Sequence, residues 1–279
     1  MKKITRRSFL AAAGLTAAAL ALTACGGSSS STASSTASSA AASSEAASSS
    51  AAAELTTVET GKLTMATNAT FPPYEMTTDT GAFEGIDVDT AQAIAEKLGL
   101  ELQIDDMEFD AALLSVQQGK ADIVMAGVTV TDERKAVMDF SDSYATGIQS
   151  IIVPEGSDIA TPDDLAGKKI GTQRGTTGYI YCSDDFGDEN VVAYDDGLTA
   201  VQALNNGQVD AVVIDNAPAK EFIAANPGLV ILETSYAEED YAIGLAKGSS
   251  LKDAINGALE ELKADGTLQS IVDKYISAE

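Results

Sequence analysis

The chain has 279 residues and no histidine, and its 42 acidic residues against 17 basic ones give a formal net charge of −25. Nucleic-acid binding depends on clustered lysine and arginine, so this charge argues against it. The missing histidine excludes His-based triads, His metal sites and His proton shuttles within the chain.

Residues 1–24 are typical of an export signal. Basic residues precede an apolar run from Phe9 to Leu22, which is shorter than the roughly 20 residues that a membrane span needs. The string TRRSFL at residues 5–10 resembles a twin-arginine export signal. An ordinary secretory signal with two adjacent arginines remains the alternative.

The string LTACG at residues 22–26 resembles a bacterial lipobox, in which the thiol of Cys25 would be acylated and the cysteine would become the first residue. Residues 25–54 are then a lipidated cysteine followed by a linker rich in serine and alanine, a composition that cannot bury enough surface to fold. Cys182 is left as a single thiol, and we expect it to be a small buried apolar residue.

Strands and helices alternate along residues 55–279 in two similar halves. Each half has a short strand that ends in a polar turn, then an amphipathic helix, a Gly-x-x-Asp turn and an apolar strand. Gly119 and Gly207 lie where these helices should stop. Helices are predicted at residues 86–98, 176–182, 197–205 and 218–225, with two more between 250 and 277 that are separated at 265–266. The alternation predicts an α/β fold, and the repeat predicts two lobes.

Four residues follow the predicted strands at their carboxyl ends: Asn68, Gly127, Gln173 and Asp215. In open α/β sheets, ligands bind beyond these ends. Two lobes that face each other would therefore place all four residues in one cleft.

Several segments resemble the amino-acid-binding branch of the extracellular solute-binding proteins, and the resemblance covers most of residues 60–279. The similar segments are 68–75 (NATFPPYE), 85–89 (GIDVD), 126–134 (AGVTVTDER), 139–142 (DFSD) and 171–177 (GTQRGTT).

The resemblance implies a two-lobed, type II periplasmic-binding-protein-like fold with two hinge strands, near residues 148–153 and 236–241. Lobe one would hold residues 60–148 and 241–279, and lobe two residues 154–235. Closure about such a hinge traps a ligand between the lobes.

The resemblance also implies a clamp for the α-carboxylate of a free amino acid. Arg134 would pair with the carboxylate, because a guanidinium binds it in a bidentate manner. Thr129 would assist, and Thr176 and Thr177 would add donors at the positive end of a helix. The alternatives are a surface ion pair for Arg134 and a plain helix cap for Thr176.

The α-ammonium group would be bound by Asp215, with Gly127 and Thr129 opposite. The alternative for Asp215 is a cap or turn residue before the next helix. The expected contacts to the ligand side chain are Asn68, Phe71, Phe109 and Gln173. Each phenylalanine could instead belong only to the core.

Asn68 stands where relatives that bind lysine, arginine or glutamine often have aspartate. A neutral amide cannot pair with a cation, which favours a polar, neutral ligand such as glutamine. A basic ligand stays open, because Glu75 and Tyr74 lie nearby in the sequence.

The resulting hypothesis is a lipid-anchored, extracytoplasmic binding protein that captures a polar amino acid and delivers it to the permease of an ABC importer. We expect a monomer without catalytic residues, metal or cofactor. Two alternatives are a ligand sensor that reports to a membrane receptor and a dehydratase, since the same fold hosts an enzyme that acts on a cyclic precursor of phenylalanine.

Overall fold

The structure is a computed structural model that describes residues 55–276. The predicted export signal, Cys25 and the serine-rich linker lie outside the described residues. The strands are β1 (Lys62–Thr67), β2 (Thr70–Phe71), β3 (Glu75–Thr77), β4 (Phe83–Glu84), β5 (Glu101–Asp106), β6 (Ile123–Val124), β7 (Met138–Pro154), β8 (Ile170–Gln173), β9 (Val191–Tyr194), β10 (Ala211–Asp215), β11 (Leu229–Ile231) and β12 (Ala237–Ala246). The α-helices are α1 (Ile86–Leu98), α2 (Phe109–Gln117), α3 (Asp132–Val137), α4 (Thr177–Phe186), α5 (Gly197–Asn205), α6 (Asn216–Ala225), α7 (Lys252–Ala264) and α8 (Thr267–Tyr275).

Local sequence signals account for most helix boundaries. The predicted helices at 86–98 and 197–205 are confirmed residue for residue. Gly119 and Gly207 follow α2 and α5 with φ of +67° and +68°, the left-handed conformation in which glycine commonly ends a helix.

Two helices differ from the prediction at their ends. α4 continues to Phe186, past the predicted end at Cys182. α6 begins at Asn216 rather than at Pro218, because the Asp215 carboxylate accepts the N–H of Ala217 and caps the helix earlier. A proline is tolerated in a first turn, where its missing N–H has no helical partner.

One mixed sheet of nine strands runs through the whole fold, in the order β5-β1-β6-β12-β7-β10-β8-β9, with β11 also paired to β7. The sheet is continuous because β7 has 17 residues, a length of roughly 55 Å at about 3.3 Å per residue. β7 and β12 pair antiparallel over most of β12, with register shifts between Tyr241 and Gly244.

The two-lobed fold with two crossover strands is confirmed by this topology. The predicted crossing segments, 148–153 and 236–241, fall within β7 and at the start of β12, where Ala237 pairs with Gln149 and Tyr241 with Ala145. The residue boundaries of the two lobes stay a prediction.

Separate apolar cores lie on the two sides of the crossing strands. On one side, Leu63 and Met65 of β1 pack with Ile94 of α1 and Leu259 of α7. On the other side, a core that includes Ile170 of β8 contains Cys182, which is fully buried as expected. Among residues 55–276, no helix has both the length and the apolar character needed to cross a bilayer.

Candidate functional site

A cavity lies at the carboxyl ends of the parallel strands, between the two sides of the sheet. All of the residues that the sequence predicts to contact a ligand line it: Asn68, Phe71, Phe109, Gly127, Thr129, Arg134, Gln173, Thr176, Thr177 and Asp215. The remaining predicted site residue, Cys25, lies outside the described residues. The fold therefore brings the predicted set together, and the role of each residue toward a ligand stays a prediction.

Arg134 is held inside the cavity wall. The residue lies in α3, which is capped by the Thr131 hydroxyl, and it is only 8% exposed. Its Nη1 donates to the Thr129 carbonyl at 2.8 Å and its Nη2 to the Gly175 carbonyl at 3.2 Å. The guanidinium also lies over the Phe109 ring, 5.3 Å from the centroid, at a distance typical of a cation–π contact.

This burial contradicts the alternative of a surface ion pair. Both hydrogen bonds that its guanidinium donates go to neutral carbonyl oxygens. The Glu239 carboxylate is near enough to act on its charge but accepts its hydrogen bonds from Thr129 and Gln149, so Arg134 can still pair with an anion in the cavity. Burial lowers the pKa of Arg134, but an arginine remains protonated in a protein.

The amino terminus of α4 faces the same cavity. The Thr176 hydroxyl accepts the N–H of Tyr179 and donates to the Gln173 carbonyl at 2.8 Å, so this residue is the helix cap. The buried Thr177 places its Oγ1 3.4 Å from Oγ1 of Thr129. The positive end of a helix of ten residues therefore lies next to the cavity, where it favours an anionic group.

Asp215 is the buried acid of the opposite wall, with 2% exposure. Its carboxylate accepts the N–H of Ala217 at 3.2 Å and a short hydrogen bond from the Tyr241 hydroxyl. Burial raises the pKa of Asp215 to about 6, although the hydrogen bonds from Tyr241 and Ala217 act against the increase. The group is therefore mainly ionised at neutral pH and able to bind a cation.

Gly127 has a φ of +54°, which disfavours residues with a side chain. An added Cβ would lie 3.0 Å from the Phe71 ring and 3.1 Å from the Tyr241 ring. Its N–H donates to Oδ2 of Asp87 at 3.0 Å. Glycine therefore leaves space in the cavity at this position, and the hydrogen bond to Asp87 holds its backbone in place.

Asn68 and Gln173 join the two sides of the cavity. Nε2 of Gln173 donates to Oδ1 of Asn68 at 2.8 Å, and Nδ2 of Asn68 donates to the Met107 carbonyl at 3.0 Å. The amide of Asn68 is thus held in place by the protein. Together with the contacts Arg134 to Gly175 and Thr129 to Thr177, this pair connects the two sides across the cleft.

The sequence did not identify three polar residues of this site. Gln149 and Tyr241 line the cavity, and Glu239 accepts hydrogen bonds from Thr129 and Gln149, both at 3.0 Å. Their positions depend on the pairing of β7 with β12, for which no local signal exists. Glu75 also lines the cavity, and the sequence had indicated it only as an acid close to Asn68 that leaves a basic ligand open.

The family model described as bacterial extracellular solute-binding proteins, family 3, matches residues 63–278. The L-cystine-binding protein TcyJ of Escherichia coli (strain K12) is 34% identical over 226 residues, which are 79% of this chain and 85% of that protein.

Solved structures show the same similarity. The arginine-, lysine-, histidine-binding protein ArtJ from the thermophilic bacterium Geobacillus stearothermophilus matches with a TM-score of 0.75 and 34% identity, covering 78% of this chain and 96% of ArtJ. An ancestral arginine-binding protein bound to glutamine matches with a TM-score of 0.75 and 41% identity, covering 79% of this chain and all of that protein.

Proposed function

The chain belongs to the bacterial extracellular solute-binding proteins of family 3, and we propose that it captures a free polar amino acid in the cavity between its lobes and passes it to an ABC importer. Its relatives include the cystine-, arginine- and glutamine-binding proteins of bacteria. The family functions in solute binding outside the cytoplasm, so neither the family nor its members favour the dehydratase alternative.

The observation that carries the proposal is the pair of opposite buried charges in one cavity. Arg134 and Asp215 both line it and are 8% and 2% exposed. A free amino acid carries one negative and one positive group on the same carbon atom. Buried charges are costly unless they are paired, and a zwitterion would pair both of them at once.

The other contacts follow from the same orientation. The α-carboxylate would bind Arg134, assisted by Thr129 and by Thr176 and Thr177 at the positive end of α4. The α-ammonium would bind Asp215, with the Gly127 carbonyl and Thr129 as further acceptors. The side chain would then lie near Phe71 and Phe109, in the part of the cavity that Asn68, Gln173 and Glu75 border.

We also propose that the protein is held at the outer face of the membrane by lipid on Cys25. The proposal rests on the lipobox-like LTACG segment and on the serine-rich residues that follow it. More than one acyl chain is needed for stable anchoring. We further propose that the protein binds its ligand as a monomer.

The test is a thermal-shift screen of the full chain against the twenty amino acids. A ligand that binds only the folded state raises the melting temperature by mass action. For each amino acid that raises it, two analogues are compared: the amine that lacks the α-carboxylate and the N-acetyl derivative that lacks the α-ammonium.

We expect a shift with one or a few polar amino acids and a loss of most of that shift with both analogues. Equal shifts with an amino acid and its two analogues would contradict the proposed clamp. A lack of any shift would contradict binding of free amino acids. If ligand binding is normal but uptake does not depend on this protein, the sensor alternative is favoured.

A further inference from the structure

Glu239 is a buried carboxylate that lies next to the cavity without forming part of its wall. The residue is on β12, where this strand crosses between the two sides of the fold, and it is 6% exposed. It is not among the described residues that line the cavity, so the proposed clamp gives it no contact with a ligand. A buried carboxylate is costly unless hydrogen bonds or an opposite charge compensate for its lost hydration. The neighbours of Glu239 therefore indicate its role.

Two of these neighbours belong to the crossing strands and to the side of the cleft that carries α3. Oε2 of Glu239 accepts the Thr129 hydroxyl and Nε2 of Gln149, both at 3.0 Å. Gln149 pairs with Ala237 in the register of β7 and β12, so its side chain and that of Glu239 are diagonal neighbours. Thr129 is also joined to β12 through its backbone, by an isolated bridge to Tyr241. These contacts attach Glu239 to the side of the cleft that carries Thr129.

A third neighbour reaches Glu239 from the opposite side of the cleft. The Tyr181 phenol on α4 is hydrogen-bonded to the Glu239 carboxylate, and burial and the charge of Glu239 raise the pKa of this phenol. Thr177 lies four residues earlier on the same face of α4, and its Oγ1 is 3.4 Å from Oγ1 of Thr129. One face of α4 therefore rests on the group of side chains that Glu239 holds together.

The packing around Glu239 leaves little space for water. An added Cβ at Gly178 of α4 would lie 3.0 Å from Oε1 of Gln149. Arg134 is near enough for the charge of Glu239 to act on it, and it donates a hydrogen bond to the Gly175 carbonyl just before α4. Hydrogen bonds to a charged group are stronger in such a water-poor environment than at the surface. The contacts of Glu239 with α4 should therefore oppose a separation of the two sides.

On the basis of the proposed function, we propose that Glu239 is a positioning residue that holds the lobes closed by joining Thr129 on one side of the cleft to Tyr181 on the other. A movement of α4 away from the cavity would break the hydrogen bond to Tyr181, since such a bond is lost when donor and acceptor move apart by about 1 Å. The same movement would open the path by which a ligand leaves. Glu239 therefore slows the release of a bound amino acid without touching it.

This role predicts an effect on ligand dissociation and not on association. A ligand enters the open form, in which the contact between Glu239 and α4 does not exist, so loss of the contact leaves the association rate constant unchanged. A ligand leaves only after the lobes have opened, so loss of the contact increases the dissociation rate constant. A hydrogen bond to a charged group is strong enough to slow this opening by about tenfold.

The experiment measures both rate constants by surface plasmon resonance on the full chain. The twenty amino acids are the probes, and the one that binds wild type most tightly is used for every variant. The variants are Tyr181→Phe, which removes only the phenol hydroxyl, Glu239→Gln, which removes the charge, and the double variant. The matched control is Tyr179→Phe, which makes the same change on α4 but on another face of the helix.

For Tyr181→Phe, we expect dissociation at least about fivefold faster than in wild type and association within about twofold of it. For Tyr179→Phe, both rate constants should stay within about twofold of the wild-type values. Glu239→Gln should also dissociate faster, because a neutral amide accepts a weaker hydrogen bond. Adding Tyr181→Phe to Glu239→Gln should change dissociation by less than about twofold, because both substitutions remove one contact. Tyr181 is only partly buried, so Tyr181→Phe tests the proposal even if Glu239→Gln does not fold.

Four results would overturn the inference. They are unchanged dissociation in Tyr181→Phe, an equal effect of Tyr179→Phe, a loss of affinity that lies only in the association rate constant, and a full additional effect of Tyr181→Phe in the Glu239→Gln background. Each of these leaves the proposed function intact, because an amino acid still binds. A failure of all twenty amino acids to bind wild type would instead overturn both proposals.

Discussion

Replacing Arg134 by alanine tests the proposed clamp most directly. The side chain is 8% exposed and donates to the carbonyls of Thr129 and Gly175, at 2.8 and 3.2 Å. Its removal would leave the ligand carboxylate buried opposite the positive end of α4 without a cation. The Arg134→Ala variant should therefore bind a free amino acid much more weakly than wild type.

The magnitude follows from the cost of an unpaired buried charge. Removing one partner of such a pair costs roughly 3–5 kcal/mol, which corresponds to an affinity loss of about 100- to 4,000-fold. The free energy of unfolding of the ligand-free protein should change much less. Two hydrogen bonds of about 1 kcal/mol each are lost, but the desolvation of a buried cation is also removed.

The assay is calorimetric titration with the amino acid found in the thermal-shift screen. The matched control is Arg174→Ala, since Arg174 is the other arginine of residues 55–276. Its side chain is exposed and pairs with Asp195 at 3.4 Å, and an exposed pair of this kind contributes about 0–1 kcal/mol. A loss of less than about 1 kcal/mol of binding free energy in Arg134→Ala would refute the assignment of Arg134 to the ligand carboxylate.

Three further predictions concern the hinge, a helix and the membrane anchor. Gly147→Ala should destabilise the fold by about 1–3 kcal/mol in urea unfolding, because its Cβ would lie 2.5 Å from the Tyr241 ring. Gly257→Ala should stabilise the fold by about 0.5–1 kcal/mol in the same assay, because an added Cβ within α7 meets no atom within 4 Å. In cells fed a labelled fatty acid, Cys25→Ser should abolish labelling of the protein, whereas Cys182→Ser should not.

Each of these predictions has a definite contrary outcome. A Gly147→Ala variant with unchanged stability would mean that the crossing strands separate easily at this point. A Gly257→Ala variant that is less stable than wild type would show that the added methyl group does not fit at this position of α7. Equal labelling of Cys25→Ser and wild type would place the lipid elsewhere or show that it is not attached.

Much of the fold was predictable because its determinants are local. The apolar periodicity predicted α1 and α5 to the residue. The position of polar residues directly after strands predicted that Asn68 and Asp215 would line the cavity. The predicted start of α6 was wrong because proline is common as the first residue of a helix, whereas here the Asp215 side chain caps the helix so that it begins two residues before Pro218.

The sequence by itself determined the α/β class, the two-lobed plan and the charged groups that can bind a zwitterion. These features depend on residue type and on short spacing, which the chain carries directly. The resemblance of segments such as 126–134 added the functional class, which the family match over residues 63–278 then confirmed.

Only the tertiary structure decided which groups are buried and which remain without a partner. Glu75 is close to Phe71 in sequence, but its complete burial beside Asp87 depends on how β3 packs against α1. Gln149, Glu239 and Tyr241 enter the site through the pairing of β7 with β12, which joins residues about 90 positions apart. Burial and long-range pairing exist only in the packed chain. They determine the electrostatics of the cavity, because the protonation of a carboxyl group depends on the charges and hydrogen-bond donors around it.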